Sequence, residues 1–327
     1  GVLFFDYDQD GDKDLYVVSG SNEYALESQY QLDRLYANDG KGNFTKTNNI
    51  IPEIASSGSC VKATDIDNDG DLDLFIGGFQ IPGKYPAAGI SSLLINEKGI
   101  FKDITNMLAP GLKNIGMVKD AVFTDINKDG KQDLVVVGHW MPVSIFIYEE
   151  GKFNNKTAQY GQEDKIGWWN TITAADIDGN GTQDLIVGNL GLNSKHKASL
   201  DQPFKIISKD FDGNGTNDIA LGYYNNNTLY PVRGLQCSAE QNPDLKQRIG
   251  SYTEFANLTF DQVYSKYDLK DAISLSATYF ESALFLNDGA HLTIQALPKE
   301  NQLAPTNAIM VKDLNKDGHL EIITVGN

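Results

Sequence analysis

DIDNDGDLD, residues 65–73, is the stretch whose reading settles the fold. Asp65, Asp67, Asp69 and Asp73 set carboxylates at loop positions 1, 3, 5 and 9, with Gly70 at position 6 and Asp71 at position 7. Ca²⁺ takes about 6–8 oxygen ligands at ~2.3–2.6 Å, and alternate side chains on a tight turn converge on one such ion. Gly70 permits the bend, and the carbonyl of position 7 can add a backbone ligand. Left without a cation, carboxylates gathered in this way repel one another.

The pattern occurs six times. DYDQDGDKD (6–14) offers Asp6, Asp8, Asp10, Asp12 and Asp14, and DINKDGKQD (125–133) offers Asp125, Asn127, Asp129, Lys131 and Asp133. DIDGNGTQD (176–184) offers Asp176, Asp178, Asn180, Thr182 and Asp184. DFDGNGTND (210–218) offers Asp210, Asp212, Asn214, Thr216 and Asp218, and DLNKDGHLE (313–321) offers Asp313, Asn315, Asp317, His319 and Glu321. Lys131, Thr182, Thr216 and His319 stand at position 7 and enter through their carbonyls. Up to six Ca²⁺ sites are expected, the first two loops being richest in carboxylate. An EF-hand would need a Glu at position 12 and flanking helices. Position 12 is Val17, Ile76, Val136, Val187, Leu221 or Thr324, so that reading fails. One copy alone would be hard to tell from an Asp/Gly-rich turn; six are not.

β-Strand signals flank every loop. LYVVSG, LFIGG, LVVVG, LIVGN, IALGY and IITVGN follow, and VLFF, VKAT, AVFT, TITAA, KIISK and AIMVK precede. A second hairpin type recurs as LYANDGKGNF (35–44), LLINEKGIF (93–101), FIYEEGKF (146–153) and LFLNDGAHL (284–292). One loop hairpin plus one plain hairpin gives four strands in roughly 50–60 residues, the period of a β-propeller blade. The fold class is therefore all-β, a propeller with blades at 1–56, 57–111, 112–161, 162–227 and 228–300, and half a blade from 301. The loop at 210 is expected in the outer hairpin of the fourth blade. Seven blades would close the ring, which makes the chain a fragment of a single propeller domain. Gly1 entering a strand with no initiator Met or signal segment fits that expectation.

The chain of 327 residues has net charge −17, and the six loops hold 22 of its 44 acidic residues and four of its 27 basic ones. The acidity is local to the loops. It argues against a nucleic-acid partner. No apolar run reaches the ~20 residues of a membrane span. Cys60 and Cys237 form no disulfide framework or zinc motif.

The loops resemble those of the FG-GAP/VCBS repeat family, the integrin-α propellers among them. More narrowly, DLYVVSGSNEY, DRLYANDGKGNFT, LAPGLKNIGMVKDAVFTDIN, LVVVGHWMP, GWWNTITAADID, VGNLGLNSKHKAS and ALFLNDG resemble repeat regions of bacterial ASPIC/UnbV-associated envelope proteins. The resemblance implies a calcium-supported, extracytoplasmic propeller (secreted, periplasmic or cell-surface) that binds a protein or glycan or serves as a scaffold. It carries over no catalytic residues.

Two further regions stand out. Ser238 with Gln241, Ser251 with Glu254, and Thr259 before FDQVYSKY read as helix starts, giving a helical insertion over 240–275 in the fifth blade. On the face opposite the calcium loops, strand order gathers Tyr24, Tyr85, His139, Trp140, Trp168, Trp169, Lys195 and His196 as a candidate ligand face. The alternative function, a propeller polysaccharide lyase, would draw its base from Lys84, Tyr85, His139 or Lys195.

Overall fold

The computed structural model describes residues 1–327. Its first sheet is an antiparallel meander of β1 (Val2–Phe5), β2 (Asp14–Val17), β3 (Arg34–Asn38) and β4 (Phe44–Lys46). The second repeats that order with β5 (Ser57–Thr64), β6 (Asp73–Gln80), β7 (Ser92–Glu97) and β8 (Ile100–Asp103), followed by the short helix α1 (Thr105–Leu108). The third contains β9 (Met117–Thr124), β10 (Asp133–Met141), β11 (Ser144–Glu149) and β12 (Lys152–Asn155), and β13 (Gly167–Trp168) pairs with the far end of β10.

The fourth sheet is interrupted. It starts with β14 (Thr171–Ala175) and β15 (Asp184–Gly188), and the chain then leaves to build a separate four-stranded sheet. That inserted sheet contains β16 (Phe204–Lys209), β17 (Asp218–Asn225), β18 (Thr228–Pro231) and β19 (Ile273–Ala277). Between β18 and β19 lie α2 (Leu235–Gln241), α3 (Asp244–Arg248), α4 (Tyr252–Ala256) and α5 (Phe260–Tyr264). The chain returns with β20 (Ala283–Asn287) and β21 (Leu292–Ala296) to complete the fourth sheet, in which Leu185 faces Phe285. A two-stranded sheet, β22 (Thr306–Lys312) and β23 (Glu321–Gly326), follows beside β14 and β15.

The sheets are held by apolar layers between consecutive members. Phe5, Tyr16 and Leu35 of the first sheet meet Val61, Leu74 and Leu94 of the second. Phe75 and Leu93 meet Leu134, Val136 and Phe146 of the third, and Val135, Val137 and Ile145 meet Leu185, Val187 and Phe285 of the fourth. Strands in the middle of this stack are covered on both faces. That is why β6 and β10 read as continuous apolar runs rather than alternating ones. The innermost strands are stitched as well: Lys62 of β5 pairs with Asp120 of β9 at 2.8 Å, and Thr171 of β14 donates to the same carboxylate at 3.0 Å.

Four expectations change. The outer hairpin of the fourth sheet is β20–β21, whereas the loop at 210–218 belongs to the inserted sheet. No sheet corresponds to a blade at 228–300, since its strands divide between the inserted and fourth sheets. Local spacing placed the 210 loop where a hairpin was due, but burial of Leu185, Val187, Ala283 and Phe285 in one layer selects the distant partner. The helices span residues 235–264 rather than 240–275, and β19 occupies part of the remainder. Ser251 caps α4, and Thr259 with Gln262 forms a capping box on α5. Ser238 is no cap: it lies inside α2 and donates to the Arg233 carbonyl.

Candidate metal centres

Each acidic loop joins the first and second strands of its sheet, and all six share one hydrogen-bond scheme. The position-1 carboxylate accepts the N–H of the position-6 glycine through Oδ2, at 2.7–3.0 Å, in every copy. The position-5 side chain accepts the position-7 N–H at 2.7–3.0 Å. The position-9 carboxylate accepts the N–H of position 2 at 2.7–3.1 Å. Two residues per loop sit in the left-handed region. One is the position-6 glycine; the other is position 4, held by Gln9, Asn68, Lys128, Gly179, Gly213 and Lys316. The sequence reading found only the first.

The turn aims its free oxygens inward. Oδ1 of Asp6, Asp65 and Asp176 is buried and accepts no hydrogen bond, and Oδ1 of Asp12 is in the same condition. Ligand oxygens of Asp6, Asp8 and Asp10 lie within 4.8 Å of one another, as do those of Asp65, Asp67 and Asp73. The same holds for Asp176, Asp178 and Asp184, and for Asp210, Asp212 and Asp218. In the loops at 125 and 313, position 3 is Asn127 or Asn315, so fewer carboxylates are available to converge. An all-oxygen donor set with unsatisfied inward atoms fits a hard cation.

Position 9 has a second task. Asp73 and Asp133 are fully buried, and each also accepts an N–H from the plain hairpin of its sheet, Asn96 and Tyr148 respectively, at 2.8 Å. Asp14 and Asp184 receive Asn38 and Asn287 in the same way, at 2.9 and 2.8 Å. Burial pushes the carboxyls of Asp73 and Asp133 up to about 6, against the pull of those N–H donors. Burial raises Asp14, Asp67 and Asp218 as well. A bound cation would offset that penalty.

Position 7 is more varied. Asp71 accepts the Lys98 N–H at 2.9 Å, the Lys131 ammonium lies over the Tyr148 ring, and Thr182 donates to the Asn287 carbonyl. Thr216 and His319 have their side chains near solvent. Glu321 accepts from Leu314 and from the Asn315 side chain.

The residues expected on the opposite face fall into different environments. Trp169 is fully buried between the third and fourth sheets, and Trp140 is buried where the inserted sheet meets the third. Trp168 is partly buried, stacked on His139 and edge-on to His196, Phe204 and Phe280. The aromatic surface expected there is thus largely covered by the inserted sheet, whose Phe204, Ile206 and Ala277 fill it. Tyr85 accepts the Trp140 Nε1–H at 2.7 Å, and His139 Nε2 lies 3.0 Å from Asn170 Oδ1. Tyr24 is exposed against Tyr30, and Lys84 and Lys195 are exposed. His139 and Trp140 line a cavity of about 420 Å³ that Lys84, Tyr85 and Lys195 do not. Cys60 is buried and Cys237 exposed, both unpaired.

Sequence reasoning missed the asparagines Asn38, Asn96 and Asn287. Their signal was present: each immediately precedes the acidic turn of a plain hairpin.

Comparison with known proteins agrees with this geometry. The family described as FG-GAP-like repeat matches residues 6–76 and 125–187. Integrin alpha-3 of Cricetulus griseus is 29% identical over 146 residues, 41% of this chain and 14% of that protein. Integrin alpha-7 of Mus musculus is 27% identical over 158 residues, 43% of this chain and 13% of that protein. The chain therefore spans a small part of the curated relatives it matches. Neither match bears on the narrower ASPIC/UnbV resemblance. No helix is long and apolar enough to cross a membrane.

Proposed function

We propose that this member of the FG-GAP-like repeat family is a calcium-binding, extracytoplasmic β-propeller domain that recognises a protein or a glycan and is not itself a catalyst. The observation that carries the calcium reading is the set of buried, donor-free Oδ1 atoms on Asp6, Asp65 and Asp176, whose Oδ2 atoms are held by the glycine N–H groups of the turn. In this reading the meander sheets are the blades, stacked in chain order, and the inserted sheet with its helices is mounted on the side away from the four blade loops. Similarity to integrin alpha chains supports protein recognition, with glycan recognition the broader form of the same proposal.

Sites of the extracellular type have dissociation constants of about 10⁻⁴–10⁻³ M, so they would fill outside the cell and stay empty in the cytosol. Each independent site at tenfold excess of calcium adds about 1.4 kcal/mol. The test is thermal unfolding of the EDTA-treated chain with and without millimolar Ca²⁺. A clear rise in melting temperature is expected, with calorimetric binding of several ions. An unchanged melting temperature with no binding heat would overturn the proposal.

A further inference from the structure

The six loops are not equally isolated from one another. Asn96, in the plain hairpin of the second sheet, gives its backbone N–H to Asp73 of its own loop and its side-chain amide to the Tyr7 carbonyl of the first loop, both at 2.8 Å. The Tyr7 N–H in turn donates to Asp14 at 3.1 Å. Two position-9 carboxylates, Asp14 and Asp73, are thereby joined through one residue and one amide side chain. Gln9 adds a second link across the same boundary, donating to the Gly70 carbonyl at 3.0 Å and to Asp71.

The arrangement recurs between the third and fourth sheets. Asn287 donates its N–H to Asp184 and its side-chain amide to the Ile126 carbonyl, each at 2.8 Å, while Ile126 N–H donates to Asp133 at 3.0 Å. Lys128 adds the parallel strut, reaching the Asn180 carbonyl at 3.0 Å. Between the second and third sheets the relay is missing. Tyr148 occupies the place of the asparagine: its N–H serves Asp133, but it has no amide to offer the Ile66 carbonyl.

We propose that the cation loops work as two coupled pairs, 6–14 with 65–73 and 125–133 with 176–184, with no coupling across the boundary between them. The inference rests on the calcium reading above. An ion held by a loop would order the turn that ends in the position-9 carboxylate, and with it the peptide or hairpin that the asparagine bridges. Ordering one loop therefore reduces what its partner must still order on binding. Buried amide bridges transmit this because they have few alternative partners.

The test follows each loop by the amide signals of Gly11, Gly70, Gly130 and Gly181 in ¹⁵N-glycine-labelled full chain titrated with Ca²⁺. Asp67→Ala with Asp69→Ala disables the second loop while leaving the buried Asp73 in place. The first loop should then bind about tenfold more weakly, within the usual range of coupling, and the third and fourth should not change. In a background that lacks both links, Asn96→Ala with Gln9→Gly, the same loop-2 knockout should no longer affect the first loop. Tyr148→Asn should create a response between the second and third loops. Unchanged first-loop affinity, or equal weakening of the first and third, overturns the pairing while calcium binding itself stands. Absence of calcium-dependent shifts at all four glycines overturns the calcium reading and the pairing together.

Discussion

Trp140 lies flat on Phe204, with ring centroids 6.0 Å apart and planes 13° from parallel, and the contact fastens the inserted sheet to the third sheet. Trp140 holds this position at φ +60°, a conformation that bulky residues rarely adopt, at a bulge in β10 between His139 and Met141. Its Nε1–H is satisfied by Tyr85, and Trp168 packs edge-on against it. The strain is held in place by these contacts with Phe204, Tyr85 and Trp168.

Trp140→Ala should therefore cost about 3–5 kcal/mol, as buried aromatic truncations do. Urea unfolding measures it. A variant as stable as the parent would mean that the inserted sheet is anchored elsewhere.

Asp73→Ala should destabilise the chain even in EDTA. The substitution leaves the buried N–H groups of Ile66 and Asn96 without an acceptor, at about 1–3 kcal/mol each. Comparison of unfolding free energies with and without calcium separates this from ligand loss. If the deficit exists only in calcium, Asp73 is a ligand and not a strut.

Gly179 sits at φ +74° with no atom within 4 Å of where a Cβ would lie, so Gly179→Ala isolates the backbone requirement of position 4. A loss of about 1–2 kcal/mol is expected. Gly111→Ala, equally open but without a positive φ, should be neutral or slightly stabilising. Equal effects at the two sites would remove the conformational argument.

Burial lowers the His139 imidazole to about 4, with Asn170 opposing the shift and Lys119 adding to it. The unfolded chain then binds the proton more readily, so the stability this residue contributes is complete above pH ~6.5 and is lost as pH falls toward 4. The loss is on the order of 3 kcal/mol. His139→Gln should flatten that part of the stability-versus-pH curve relative to the parent. Parallel curves for the two proteins would show that His139 titrates normally.

What was legible in the sequence was local. Asp and Asn at alternate positions around Gly70 dictate the turn, because a short chain segment contains the oxygens, the bend and the N–H donors of the scheme. Turns that combine an acidic residue with a following glycine announced the plain hairpins in the same way. Asn96 and Asn287 were visible as letters but not as bridges, since the carbonyls they reach are 89 and 161 residues away in the chain.

The sequence by itself determined the six loops, the strand that follows each one and the all-β character, because these depend on contacts within a hairpin. Only the tertiary structure decided that β15 pairs with β20 across an inserted sheet, and that Trp140 and Trp169 are covered instead of displayed. Those choices rest on which apolar faces can be buried together, and hairpins of similar pattern compete for the same place until the layers containing Phe285 and Phe204 are assembled.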